Sequence, residues 1–179
     1  IYALEDFYGE DIQKSKDFCR IVNEKHFYRI KHILDEDEEY IVFGGKTDYK
    51  ENYIEPTILE LPSFNGASMN EEIFGPILPI ISYNDINYVI NEIRKRPKPL
   101  ALYLFTTKKE NEKIIVSSIS SGGVCINDTI SHLINPNLPF GGVGNSGIGA
   151  YHGEYSFKTF SHEKSILKKK NKPNFTMIY

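Results

Sequence analysis

The sequence has the length and composition of one folded domain. It contains 179 residues, 40% of them hydrophobic and 25% charged, and about 100 to 200 residues per domain is usual. The formal net charge of −3 argues against a protein that binds nucleic acid by neutralising phosphates. The two cysteines, Cys19 and Cys125, are too few for a disulfide framework, and the five histidines lack the spacing of a zinc site. We therefore expect a reducing compartment and no metal.

The sequence shows no sign of a membrane span or of a secretory leader. The most apolar stretch, residues 73–81, contains Pro76 and Pro79 and is far shorter than the ~20 residues that cross a bilayer. The first residues, from Ile1, lack the basic and apolar regions of a signal peptide and resemble the interior of a longer protein. We expect a soluble, cytoplasmic fragment.

The first part of the chain combines one helix pattern with two extended segments. Apolar residues spaced three and four apart predict an amphipathic helix from Asp11 to about Leu34. Short apolar runs predict a strand over 40–43 and an extended segment over 52–61. Pro56 confines the second of these to a sheet edge or to the start of a strand.

From residue 77 onwards, strand and helix patterns alternate. Strands are predicted over 77–83, 100–105 and 123–127. Helices are predicted from residue 86, capped by Asn84 or Asp85 and stopped by Pro97 and Pro99, and over 108–121. This alternation predicts an α/β fold with a mostly parallel sheet and right-handed crossover helices.

A glycine-rich loop follows the last predicted strand. Within it, Gly142-Val-Gly144-Asn-Ser-Gly147 has the glycine spacing of a dinucleotide-binding fingerprint. That fingerprint requires a strand before it and a helix after it, and the surrounding sequence supplies neither. We therefore interpret the segment as a structural or substrate-side loop.

Neither cysteine is a convincing nucleophile, and no histidine has an assigned role. Cys125 lies in a predicted apolar strand, where cysteine is usually a buried and inert small hydrophobe. The same interpretation applies to Cys19 on the predicted first helix. His132 precedes the glycine-rich loop, where pocket residues are common, but an ordinary surface histidine is the expected outcome.

The acidic pair Glu71-Glu72 admits two interpretations. Ser68-Met-Asn-Glu71 fits a capping box, so the acids can simply begin a short helix. Alternatively, the sharp exit at residues 74–76 leaves Glu72 and Phe74 two residues apart at the start of a strand. Carboxylates that bind ribose hydroxyls and rings that lie against a flat heterocycle are usual in nucleotide sites.

Several segments, in order along the chain, resemble the aldehyde dehydrogenase superfamily. The resemblance is to the C-terminal part of the class 3 and fatty aldehyde dehydrogenase branch, and it covers essentially all 179 residues. The matching segments include Glu71-Glu-Ile-Phe-Gly-Pro76, Lys98-Pro-Leu-Ala-Leu-Tyr-Leu-Phe105, Ser121-Gly-Gly-Val124 and Leu138-Pro-Phe-Gly-Gly-Val-Gly-Asn-Ser-Gly147.

The resemblance implies oxidation of a hydrophobic aliphatic or aromatic aldehyde to a carboxylate, with NAD or NADP, through a cysteine thioester. In the family the nucleophilic cysteine and the general-base glutamate lie upstream of this region, so no residue here is expected to be catalytic and the chain alone is expected to be inactive. An alternative is a catalytically inactive remnant that acts as an interaction or binding module. An unrelated α/β nucleotide-binding protein is a third interpretation.

The resemblance also implies roles for five residues. Glu72 matches the glutamate that binds the nicotinamide ribose, and Phe74 matches the ring beside the nicotinamide. Phe140 matches an aromatic residue of the aldehyde pocket. Ile130 and Ile134 match positions that line the same pocket.

Three regions follow from the same resemblance. Residues 1–156 correspond to a partial catalytic domain, and 157–167 to the C-terminal edge strand by which such enzymes extend the sheet of a partner subunit, so a homodimer is expected. Residues 168–179 form a basic tail without the apolar anchor common in the fatty aldehyde branch. A membrane-associated form is the alternative if such an anchor has been lost.

Overall fold

The computed structural model describes residues 1–170. The chain divides into two compact units, Ile1–Tyr88 and Val89–Tyr179, a division that its length did not indicate. Most of the predicted basic tail, from residue 171 onwards, lies outside the described residues.

The first unit packs helices against a small mixed sheet. Its elements are α1 (Tyr2–Tyr8), α2 (Glu24–Glu36), β1 (Ile41–Phe43), β2 (Thr47–Asp48), β3 (Tyr53–Ile54), β4 (Thr57–Leu61) and β5 (Ile77–Ile81). Strand β4 lies between β1, which is antiparallel to it, and β5, which is parallel to it. Strands β2 and β3 form a separate antiparallel pair. The strand predictions for this part of the chain are confirmed, and Pro56 directly precedes β4, as a strand-start proline should.

The predicted first helix is wrong at its beginning. Helix α2 begins at Glu24, whereas the apolar spacing indicated a start at Asp11. The side chain of Asn23 accepts a hydrogen bond from the His26 N–H at 2.9 Å, which satisfies one of the free donors at the helix N-terminus. Upstream, Ile12–Lys14 form only a 3-10 turn. The cap at Asn23 therefore sets the helix start.

The core of the first unit lies between α2 and the sheet. Helix residues Phe27 and Ile30 and strand residue Leu59 are at most 1% exposed, and full burial of such a side chain contributes about 1.5 to 3 kcal/mol. The remaining buried members of this cluster are Ile33, Leu34, Ile54, Leu61 and Ile77.

A buried carboxylate joins the end of α2 to the turn that precedes β5. Asp37, only 2% exposed, accepts hydrogen bonds from the backbone N–H groups of Ala67 and Ser68, both at 2.8 Å. Buried backbone donors require such partners. The Asp37 side chain therefore fixes the turn over Ala67–Met69.

The second unit contains one strand–helix–strand motif. Its elements are α3 (Ile86–Arg94), which starts at the end of the first unit, β6 (Ala101–Leu104), α4 (Lys109–Ser118), β7 (Gly123–Ile126), α5 (Ser131–Ile134) and α6 (Gly153–Thr159). Strands β6 and β7 are parallel, with α4 as the crossover helix. Asp85 caps α3 by accepting from the Asn87 N–H at 2.8 Å. The predicted α/β fold is confirmed, with a mixed sheet in the first unit.

The C-terminal strand predicted over 157–167 is not seen in the single chain. Phe157 belongs to α6, and residues 161–170 have no regular secondary structure. A strand that extends a partner's sheet takes its hydrogen bonds from that partner, so this assignment stays a prediction about an assembly. Within residues 1–170, no helix is long and apolar enough to cross a bilayer.

We expect the substitution Asp37→Ala to destabilise the chain by about 2 to 4 kcal/mol, because it leaves one buried and one partly buried N–H group without this acceptor. Urea unfolding of the 179-residue chain measures this free energy. Asp35→Ala is the matched control, since Asp35 forms an exposed ion pair with Lys31 on α2 and its removal costs less than about 0.5 kcal/mol. Equal effects of the two variants would contradict the assignment.

Candidate functional site

An arginine on α2 holds the acidic segment at residues 71–73. One terminal nitrogen of Arg29 lies 2.7 Å from a carboxylate oxygen of Glu71 and 3.4 Å from the carbonyl oxygen of Glu72. The other terminal nitrogen donates to the carbonyl of Ile73. A guanidinium can satisfy several acceptors at once because its donors form a rigid fork. Arg29 therefore fixes the backbone and leaves the Glu72 carboxylate exposed.

The turn that follows presents an aromatic ring to solvent. Phe74 has a φ angle of +47°, which is uncommon for a bulky residue, and its side chain is 78% exposed. Gly75 lies on the core, since a Cβ atom there would stand 2.7 Å from Cδ1 of Ile30. The Pro76 carbonyl accepts from the Thr57 N–H at 2.8 Å. Gly75 and Pro76 thus attach the turn to the core and to β4, while the Phe74 side chain stays exposed.

The capping-box interpretation of Ser68 and Glu71 is wrong. Ser68 lies inside the 3-10 turn Ala67–Met69, and no helix begins at the acidic pair. Asp37 takes the Ser68 N–H, so a tertiary contact replaces the predicted local cap. Glu72 and Phe74 are exposed on one anchored segment, and the interpretation of this pair as a nucleotide-binding site stays a prediction.

In the second unit, the end of β7 is tied to the end of β6. The backbone N–H of Asn127 donates to the Leu104 carbonyl, and its side chain accepts from the Thr106 N–H, both at 2.8 Å. The chain then turns at Asp128, whose carboxylate accepts from the Ser131 hydroxyl and from a backbone N–H. Both hydrogen bonds lower the pKa of Asp128, and the one from Ser131 has the larger effect.

Helix α5 places the two predicted pocket isoleucines in solvent. Ile130 precedes the helix with a φ angle of +64° and is 55% exposed, and Ile134 at its end is 74% exposed. Between them, His132 is only 9% exposed. The expectation of a surface histidine is therefore wrong, because His132 packs against the rings of Tyr103 and Phe140, which a local pattern cannot reveal.

Phe140 is the centre of an aromatic cluster. Its backbone forms an antiparallel bridge with Tyr151, with hydrogen bonds of 3.0 and 2.9 Å. Its ring lies 5.9 Å from that of His132 and 5.7 Å from that of Tyr151, and it stacks on His152 at 6.1 Å with an interplanar angle of 24°. The structure thus joins Phe140, through His132, to the helix that carries Ile134.

The glycine-rich loop packs closely on itself. A Cβ atom at Gly142 would collide with the backbone of Ser146, and one at Gly141 with the backbone of Gly149. The Ser146 hydroxyl closes the turn by accepting from the Val143 N–H at 2.9 Å. These glycines permit close backbone packing within the loop, which agrees with a structural loop and not with a dinucleotide fingerprint.

The two cysteines differ in their surroundings. Cys125 is buried in β7, as predicted, whereas Cys19 is exposed and lies outside the helices. The expectation that Cys19 packs on a helix is wrong, because α2 starts only after it. Among residues 1–170, no three His, Cys, Asp or Glu side chains are grouped so as to hold a metal ion.

We expect Arg29→Ala to release residues 71–76 without unfolding the unit, because it removes every contact that the guanidinium makes with that segment. Hydrogen exchange in a peptide covering 71–77 should accelerate by at least about tenfold, as expected for the loss of about 1.4 kcal/mol of local stability. Lys31→Ala on the same helix, which removes only a surface ion pair, is the control. Unchanged exchange in Arg29→Ala would refute the anchoring role.

Comparison with known proteins shows close relatives over most of the chain. A 4,4'-diaponeurosporen-aldehyde dehydrogenase of Staphylococcus aureus is 52% identical over 93% of this chain and 36% of its own length. A dimeric NADP-preferring aldehyde dehydrogenase of Rattus norvegicus is 48% identical, again over 93% of this chain and 36% of the relative. Other relatives are named as members of aldehyde dehydrogenase family 3. The chain spans about a third of the length of these relatives.

The structure gives the same result. A substrate-bound aldehyde dehydrogenase of Staphylococcus aureus superimposes with a TM-score of 0.88 at 50% identity, over 97% of this chain and 38% of the other. The aldehyde dehydrogenase family model matches residues 4–166. The chain therefore belongs to the aldehyde dehydrogenase family.

Proposed function

We propose that these residues form part of an enzyme that oxidises hydrophobic aldehydes to carboxylates with NAD or NADP. The observation that carries the proposal is the exposed pair Glu72 and Phe74 on a segment anchored by Arg29. Family membership supports the reaction type, and the rat relative described as NADP-preferring supports a nicotinamide cofactor.

Glu72 and Phe74 have the properties that a nicotinamide cofactor requires. An exposed carboxylate accepts hydrogen bonds from the two hydroxyls of a ribose, and an exposed flat ring packs against a heterocycle. The cofactor, when bound, accepts the hydride removed from the substrate. The role of Glu72 and Phe74 is to orient it, and the fixed backbone at residues 71–73 lets them do so with little loss of conformational entropy.

Phe140, Ile130 and Ile134 suit the apolar part of an aldehyde. Both isoleucine side chains are more than half exposed, so a bound apolar group would remove their surface from water at about 25 cal/mol per Å². Phe140 is half-buried and fixed by its bridge to Tyr151. We propose that these three side chains contact aliphatic or aromatic aldehydes.

We propose that the catalytic cysteine and general base lie outside these 179 residues. A thiolate must add to the aldehyde carbon, hydride must leave that carbon, and water must then release the carboxylate. Cys125 is buried within a strand, where cysteine is usually an inert small hydrophobe, and Cys19 is exposed outside the helices.

We further propose a homodimer held through residues 157–167 and a cytoplasmic location. Phe157, Phe160, Ile166 and Leu167 are each more than 70% exposed, and a second copy that paired with this segment would cover them. The rat relative described as dimeric supports this assembly. Two free thiols suit a reducing compartment.

In the natural protein that carries these residues, we expect Glu72→Gln to lower kcat/KM for the cofactor by about tenfold or more, since it weakens hydrogen bonds to a charged acceptor. Phe74→Ala should have a similar effect through the loss of ring contact. Steady-state rates at varied NAD and NADP measure both. Glu60→Gln, at an exposed position of β4, is the matched control. Wild-type cofactor kinetics in both variants would overturn the cofactor assignment.

The chain of 179 residues, purified alone, should show no cysteine-dependent reduction of NAD in the presence of an aldehyde. The reason is that the nucleophilic cysteine and the general base are proposed to lie outside these residues. Cys19→Ser provides the check, because activity that disappears in this variant would show Cys19 to be the nucleophile. An active natural protein supports the enzyme, whereas an inert one favours the alternative of an inactive binding module.

A further inference from the structure

The imidazole ring of His132 is buried against aromatic rings. Both of its ring nitrogens are buried and lack a hydrogen-bond partner among residues 1–170. A buried polar group left without a partner lowers the stability of the fold. Among the described residues, packing contacts and not hydrogen bonds therefore explain the position of the ring.

The His132 ring is a wedge between β7 and two aromatic rings. On one side the ring lies against Gly123 in β7, where a Cβ atom would stand 2.7 Å from Cδ2 and 3.1 Å from Nε2 of His132. On its other sides are the rings of Tyr103, at 5.8 Å, and Phe140, at 5.9 Å. The fit depends on the missing side chain at Gly123, because even one methyl group would displace the ring.

The isoleucines stand at the two ends of this short helix. Ile130 directly precedes it and Ile134 is its last residue, and both are exposed, whereas His132 between them is buried. His132 is the buried residue of α5. Ile130 also has a positive φ angle, a strained conformation that persists only where neighbouring contacts maintain it.

We propose that His132 is a positioning residue that determines aldehyde specificity. It anchors α5 to β7 and to Phe140, and thereby fixes the three side chains proposed to contact the apolar part of the aldehyde, without touching the substrate itself. This inference rests on the proposed function, since it assumes that Phe140, Ile130 and Ile134 form the aldehyde surface.

A double-mutant cycle in the natural protein tests the proposal from both sides of the contact. His132→Ala removes the imidazole ring, and Gly123→Ala adds a methyl group that displaces the ring. Each single variant should raise KM for a long apolar aldehyde by about tenfold while the KM for the cofactor stays the same. In the double variant the new methyl group occupies the space that the ring has left, so its KM should not exceed that of His132→Ala, and the effects are not additive. Ser117→Ala on α4 is the control for an exposed position.

A second measurement uses the 179-residue chain. Carbon-13 labelled isoleucine methyl groups should report a shift at Ile130 and Ile134 in both single variants, while the methyl signals of Ile30 and Ile54 in the first unit stay in place. Multiplicative effects on KM in the double variant, or unshifted Ile130 and Ile134 signals, would overturn the proposal. So would a double variant that loses the folded spectrum when Gly123→Ala retains it.

Phe140→Leu separates this inference from the proposed function. If Phe140→Leu leaves the KM for aldehydes unchanged, the aldehyde surface itself is wrongly assigned. If it raises that KM while His132→Ala and Gly123→Ala do not, the surface stands and the role of His132 is refuted.

Discussion

The burial of one face of helix α2 against strands β4 and β5 is the interaction on which the first candidate surface depends. Ile30 is completely buried in that contact, and Gly75 rests directly on it. The preceding residue, Arg29, lies outside the core and donates hydrogen bonds to residues 71–73. The same helix thus supports the segment from below and holds it from the side. If α2 moved, Glu72 and Phe74 would lose their fixed position together.

Much of this fold could be predicted from local patterns, because its strands and crossover helices carry their own signals. Asp85 caps α3 as expected, and Pro56 marks the start of β4. The start of α2 was missed, since apolar spacing continues upstream of Asn23 and only the cap shows where the helix begins. The capping box at Ser68 failed for the opposite reason, because a distant carboxylate, Asp37, captured the backbone that a local cap would have used.

The candidate site residues were predictable only in part. The segment around Glu72 was found because a charged residue and an aromatic residue stand beside a sharp turn. The anchor of this segment could not be predicted, since Arg29 lies 42 positions from Glu71 along the chain. In the sequence it looks like any arginine on a helix surface. His132 was missed because its burial is created by Gly123, Tyr103 and Phe140, and no local pattern brings these elements together.

Both candidate surfaces share one physical feature. Phe74 and Ile130 are bulky residues with positive φ angles, a conformation that costs free energy and survives only where neighbours over-determine it. At Phe74 the neighbours are the Arg29 fork and the close packing of Gly75. At Ile130 they are the Asp128 turn and the His132 wedge. In each case a charged or buried anchor, Arg29 or His132, holds the neighbouring backbone while the hydrophobic side chain stays exposed. An exposed side chain held in this way loses little entropy when a ligand covers it, which is the property that the proposed cofactor and aldehyde contacts require.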